Sequence, residues 1–312
     1  MRLLRSEFLR ARSRRVVPML IVAGLIGIFV GMAINAFNAE KPSAAQVADA
    51  QARYDKQLQK CLSGGYLGPD GVLPDGYASL EEYCQASVGP YLSGVLLRDL
   101  DEIIQGISTF VILLGVALGA SLGGADWTSN TMTTLLTWEP RRARVFFARA
   151  LVVGVFVGAI ALFWQVVFSG TFALVAATRG STLFLPSHFW TGIAATVGRV
   201  TVMAMALALV AYVLAMIGRS TVSSLGVVFG YLILFEGVIS GFQPSIQGNL
   251  LVRGAAVIVS QQPIVDTGNF DSYGTASPPV LMGVQRAWVV VAVYLVTLTV
   301  VSLVQYQRRD VS

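Results

Sequence analysis

Predominantly apolar residues fill six stretches of this chain, at residues 16–38, 103–124, 145–178, 189–217, 222–240 and 286–307. Polar, charged or turn-forming residues close each one. No stretch alternates polar and apolar positions as a half-buried strand does, and each is near or beyond the roughly 20 residues that let a helix cross a hydrocarbon core. A transmembrane barrel would need many alternating segments of about half that length. The pattern predicts an all-α integral membrane protein with six transmembrane helices. Between them lie the polar segments 39–102, 125–144 and 241–285, with a short tail at 308–312. In residues 1–15, Leu3, Leu4, Phe8 and Leu9 recur at near-helical spacing among arginines. That spacing suits an amphipathic N-terminal helix on the membrane surface, although a disordered basic tail fits the same residues.

Segment 39–102 is rich in turn signals such as Pro69-Asp70-Gly71 and Pro74-Asp75-Gly76, and helix-like stretches flank them. It reads as a small extracytoplasmic domain between helices 1 and 2. Segment 241–285 contains an apolar stretch, 249–260, too short to span. An outer re-entrant segment between helices 5 and 6 accounts for it, as does a surface helix.

Composition agrees with a lipid solvent: 55% of the residues are hydrophobic, 12% are charged and the mean hydropathy is +0.68. Charge gives the orientation. Arg2, Arg5, Arg10, Arg12, Arg14, Arg15, Arg141, Arg142, Arg144, Arg149, Arg219, Arg308 and Arg309 all fall on one face if six crossings are made. Segment 40–102 holds ten acidic residues on the other. By the positive-inside rule the chain is expected in the cytoplasmic (inner) membrane, multi-pass, with both termini cytoplasmic. The net charge of +5 then reflects topology, and no nucleic-acid partner is expected. A cleaved signal peptide over residues 1–36 is the competing reading. It would leave an odd number of spans at variance with the arginine asymmetry. The only two cysteines, Cys61 and Cys84, share the proposed outer domain, where an oxidising compartment favours a bridge between them over two free thiols.

Catalytic chemistry has few candidates. None of the three lysines, Lys41, Lys56 and Lys60, is followed by Ser or Thr, so no phosphate-cradling lysine loop exists. The single histidine, His188, follows a proline turn and cannot build a multi-histidine metal site. We therefore expect no enzyme activity, no catalytic or metal site, and no cofactor bound by this chain. Arg199 and Glu236 are the costly residues within the apolar stretches, candidates to pair or to line a pathway; snorkelling explains them equally well. Gly115, Gly119 and Gly123, Gly27 with Gly31, and Gly154 with Gly158 form small-xxx-small repeats. These mark close helix packing, either within the chain or across a dimer.

The segment from Gly123 to Arg144 has its own character. Trp127, Met132, Leu135 and Leu136 form a short apolar patch, Glu139-Pro140 closes it, and arginines lead into the next apolar stretch. In Asp126, Asn130-Thr131, Leu135-Leu136-Thr137, Glu139-Pro140 and Arg141-Arg142 the chain resembles the permease subunits of ABC transporters of the ABC-2 class. Their second span is followed by an acidic residue, a Gly-Thr-like pair, Leu-Leu-Thr, and then a proline and basic residues. The layout of arm, six spans and outer segment is similar throughout, whereas the specific match covers only these residues. Asn130 departs from the usual glycine, and the outer domain is longer than in simple members.

The resemblance implies a permease subunit of an ATP-driven exporter whose loop couples to a separate cytoplasmic ABC ATPase subunit, with ATP and Mg bound on that partner. Asp126, Glu139, Arg141 and Arg142 would supply polar contacts, Trp127, Leu135 and Leu136 apolar area, and Asn130 the turn of this coupling loop. A second permease copy or a paralogous permease, and membrane lipid, would be the other partners. A membrane receptor or assembly factor with a disulfide-bonded ectodomain is the alternative. A secondary transporter is third, with only Arg199 and Glu236 as ion-coupling candidates.

Overall fold

The computed structural model describes residues 2–65, 79–89, 92, 94–128, 142–265 and 280–308. Among the described residues it is all-α apart from one antiparallel pair of short strands. In chain order the helices are α1 (Arg2–Ser13), α2 (Val16–Asn38), α3 (Ala44–Lys60), α4 (Leu80–Ser87), α5 (Leu100–Thr128), α6 (Arg142–Arg179), α7 (Phe189–Gly218), α8 (Thr221–Tyr231), α9 (Leu251–Ser260) and α10 (Val284–Arg308). α8 continues as a π-helix, Leu232–Ile239, and a last turn, Ser240–Phe242. The antiparallel strands β1 (Ile264–Val265) and β2 (Val280–Met282) pair Ile264 with Met282 and Val265 with Val280.

Six segments are long and apolar enough to cross a membrane: Val16–Phe37, Leu97–Ala125, Arg142–Arg179, Phe189–Gly218, Thr221–Phe242 and Val284–Arg308. α6 and α7 bury 61% of their most apolar stretch, α8 with its extension only 6%. A helix leaving Phe229, Ile233, Leu234 and Phe235 uncovered is unsuited to water, and in hydrocarbon the same residues cost nothing. The chain is a multi-pass membrane protein with an amphipathic helix ahead of its first long helix and a disulfide-bonded region between helices.

The chain forms two compact units. Unit 2 comprises Ile26–Ile104 and Gln165–Ala195. Here Ser43 begins α3 through a reciprocal cap: its hydroxyl accepts from the Gln46 amide at 3.3 Å, and the Gln46 side chain accepts from the Ser43 amide at 2.8 Å. Ser79 caps α4 by accepting from Glu82 N at 3.2 Å. Cys61 and Cys84 are bridged and fully buried. With Val88 they form a miniature core, against which Tyr54, Leu58, Leu80 and Tyr83 pack. The bridge spans 23 residues, so closing that loop removes about 3 kcal/mol of disorder from the unfolded chain. Reduction should expose α3 and α4 to limited proteolysis while leaving the long apolar helices protected. Equal protease resistance with and without reductant would contradict this.

Unit 1 comprises Met1–Leu25, Gln105–Trp164 and Thr196–Ser312. Its packing seam is made of glycine. A Cβ on Gly115 would stand 3.3 Å from the Ala204 carbonyl oxygen, one on Gly119 would meet the Ala208 backbone, and one on Gly123 the Tyr212 carbonyl. Successive turns of α5 thus lie directly on the α7 backbone. From α6, Gly154 faces Leu209 and Gly158 faces Met205 of α7. These two small-residue repeats are used within the chain, whereas Gly31 of α2 has open space around it. Gly24 leaves room for the Trp164 ring, whose Nε1–H donates to Ile21 O at 3.4 Å.

Candidate functional site

Two polar clusters in unit 1 concentrate chemistry that an apolar bundle would otherwise avoid. The first surrounds the ends of α5 and α6, the two roots of the intervening segment. Leaving α5, Trp127 sits edge-on to Tyr306 at 6.3 Å, donates from Nε1 to the Met216 sulfur at 3.4 Å, and lies beneath the Arg219 guanidinium at 5.1 Å. Arg219 adopts a left-handed backbone, φ 53°, in the tight turn where Ser220 caps α8 by accepting from Val222 N. Entering α6, Arg142 donates from Nη1 to the carbonyl oxygens of Gln307 at 3.3 Å and Tyr306 at 3.5 Å. A cation belongs there, because the last carbonyls of a helix have no partner within it. Both roots therefore meet the final turn of α10.

Behind them, Tyr306 packs on Phe146 at 6.0 Å and Phe146 on Tyr212 at 5.8 Å, and the Tyr212 hydroxyl donates to Phe146 O at 3.3 Å. One turn further into α6, Arg149 Nε donates to Glu7 Oε2 of α1 at 3.1 Å, with both side chains about 5–6% exposed. Arg14 adds a 2.8 Å hydrogen bond to Ser121 O of α5. Hydropathy points to the leucines of α1, yet the buried positions among its described side chains are Glu7 and Ala11. Phe8 keeps an exposed edge against Phe156, and Leu9 is open. Glu7 and Arg149 were not singled out from sequence. The available signal was that Glu7 is the sole acid before Glu40 and Arg149 the sole charge within 145–178.

Of the predicted coupling residues, Trp127 and Arg142 are thus brought to one helix end. Asn130, Leu135, Leu136, Glu139 and Arg141 lie outside the described residues, as does the side chain of Asp126.

The second cluster holds Glu236. α9 begins without a capping side chain of its own, at Leu250. Its first amides are satisfied from the α8 segment instead: Tyr231 Oη accepts from Leu251 N at 2.9 Å, and Glu236 Oε1 accepts from Val252 N at 2.7 Å. An acid is favoured at that position by the aligned amide dipoles. Arg253 Nε stands 4.0 Å from Glu236 Oε2, and its Nη2 donates to Ser240 Oγ at 3.3 Å. Gln247 Nε2 donates to Ser240 O at 3.1 Å. The π-helical turn carries Glu236 itself, a deviation often found where a helix presents a functional side chain. Arg199 is engaged on its own helix, donating to Thr196 Oγ1 at 2.7 Å. Glu236 and Arg199, paired as candidates by their cost in lipid, thus have these separate partners. The lone cation of the short apolar stretch, Arg253, is a further residue that sequence reasoning missed.

Among the described residues, the two clusters bring together one buried charge pair, Glu7–Arg149, a partly exposed one, Glu236–Arg253, and helix-end contacts that tie separate helices together. Comparison of the chain with protein-family models and with curated proteins finds no match in either.

Proposed function

We propose that the chain is the permease subunit of an ATP-driven ABC exporter, working with separate cytoplasmic ATPase subunits and with a second permease. The observation that carries this reading is the rooting of the segment between α5 and α6. Trp127 at its start and Arg142 at its end are both fixed to the last turn of α10, and Trp127 also to the α7–α8 turn through Met216 and Arg219. A linker serving only to join two spans has no use for such anchorage. A lever moved by a soluble partner does, because displacement at the loop is then transmitted to α5, α6, α7 and α10 together. The ABC-2-like pattern from Asp126 to Arg142 and the six-span layout support the same reading.

Under it, the ATPase docks on this loop from the cytoplasm, and nucleotide-driven approach of two ATPases tilts the helices rooted there to alternate access to a path between permeases. Glu139→Lys tests it. The protein should co-purify in mild detergent with the ABC-type ATPase encoded nearest to it. In lipid nanodiscs the reversal should lower permease-dependent ATP hydrolysis at least about tenfold, since one charge-assisted contact contributes ~1.5–3 kcal/mol and each ~1.4 kcal/mol is a factor of ten. Absence of any associated ATPase would overturn the proposal in favour of a receptor acting through its disulfide-bonded region.

A further inference from the structure

Unit 1 contains a cavity of about 460 Å³ bounded by α5, α7, α8, α9 and α10. That volume lies in the ~300–1,000 Å³ range of small-molecule sites. Along α5 its wall runs from Gln105 to Val116, a rise of ~17 Å at 1.5 Å per residue. It is therefore a slot of about the depth of one hydrocarbon leaflet, half of ~30 Å. Most of the wall is aliphatic. All the bounding helices except α9 belong to membrane-crossing segments, and Leu113 and Val227, which line the slot, keep 41% and 55% of their surface open. The medium that reaches it is thus lipid hydrocarbon.

Polar groups on the wall are committed to the protein itself. Ser108 Oγ donates to Gln105 O, and Gln105 is engaged in turn. Tyr231 Oη accepts from Leu251 N at 2.9 Å and is hydrogen-bonded to Tyr294, whose ring it meets edge to face at 6.1 Å. Ser260 Oγ accepts from Gln262 N at 3.2 Å. A polar head entering the slot would give up its water and find these groups occupied, which is a burial cost without return. A hydrocarbon chain exchanges one apolar surrounding for another at no such cost. It also supplies the contact atoms that the wall of an empty void lacks.

α9 provides the floor. Ala255, Val257, Ile258 and Val259 are buried, whereas Ala256 between them is exposed and lines the slot, with Val252 one turn before it. These short side chains leave a shallow strip along the helix. Val252 also gives its amide to Glu236 Oε1, so an occupant packs on the turn that Glu236 holds.

We infer that this slot binds one hydrocarbon chain of a bilayer phospholipid, recognised by its length and slenderness, with the headgroup left outside. Binding here requires no ATPase and does not depend on the transporter reading.

The test uses the full chain in nanodiscs whose phospholipid includes a trace carrying a diazirine midway along one chain, with labelled residues read by mass spectrometry. The lining residues Val228, Ala256 and Leu298 should take about tenfold more label than Val296 and Val300, exposed on α10 away from the slot, a preference of ~1.4 kcal/mol over bulk lipid. Ala256→Leu and Ala256→Trp should lower the slot label stepwise while Val296 and Val300 label as before, which reports that the bundle is intact. Thr109→Val, which removes a lining hydroxyl and keeps its shape, should change nothing. Phosphatidylcholine and phosphatidylglycerol bearing the same chain should label alike, within about threefold. Equal label inside and outside the slot, or slot label indifferent to Ala256→Trp, would overturn the inference. A loss with Thr109→Val or a larger headgroup preference would overturn it too, because polar recognition would then place the ligand.

Discussion

Replacing Arg149 with methionine should destabilise the protein by about 3–5 kcal/mol, because the buried Glu7 carboxylate loses the Arg149 guanidinium. Glu7→Gln alone should cost less, since a neutral amide tolerates burial better than a carboxylate. The double variant Glu7→Gln/Arg149→Met should recover most of the loss. The pair is nearly fully enclosed, and its 3.1 Å contact joins α1 to α6. Chemical unfolding of the four proteins in the same lipid mixture completes the cycle. A single-variant cost below about 1 kcal/mol would mean that the pair is hydrated in the membrane and contributes like an ordinary surface ion pair.

Gly119→Leu is expected to prevent assembly altogether, and Gly119→Ala to cost about 3 kcal/mol, the upper part of the range for overpacking a filled site. The reason is the identity of the neighbour. At Gly119 a Cβ meets the Ala208 backbone, which cannot rotate away, whereas at Gly24 the obstacle is a Trp164 ring and at Gly158 the flexible Met205 side chain. Without a hydrophobic driving force between helices in lipid, close backbone approach is itself the source of attraction. Separating α5 from α7 forfeits the whole seam through Gly115 and Gly123. Gly31→Ala, where nothing lies within 4 Å, is the control and should be neutral or stabilising by up to ~1 kcal/mol through helix propensity. Comparable loss of detergent-stable monodisperse protein in both variants would refute the seam.

The six long helices were legible in the sequence because lipid permits few alternatives: a long apolar stretch must satisfy its own backbone, and the helix is the element that does so locally. The Cys61–Cys84 bridge was legible too, since a shared segment and two cysteines leave one pairing. Helix-facing details were less so. For α1, hydropathy directs attention to Leu9, while the helix is fixed by Glu7. A carboxylate that pairs with an arginine 142 positions away carries no local signature. The glycine repeats announced close packing without naming the partner; backbone proximity to Ala204, Ala208 and Tyr212 supplies it for α5. Glu236 stood out by its cost in lipid, but its role in starting α9 depends on a π-helical turn and on Arg253, neither visible in periodicity.

The Glu7–Arg149 contact also sets an order of events in biogenesis. Glu7 and Arg149 are separated by 142 positions, so at ~5–20 residues per second the first waits roughly 7–28 s for the second to be synthesised. During that interval the amphipathic arm has the membrane surface as its resting place. It can leave only once α6 is inserted and presents its arginine. Docking of α1 onto α6 is therefore a late contact, made only after the third long helix has been synthesised.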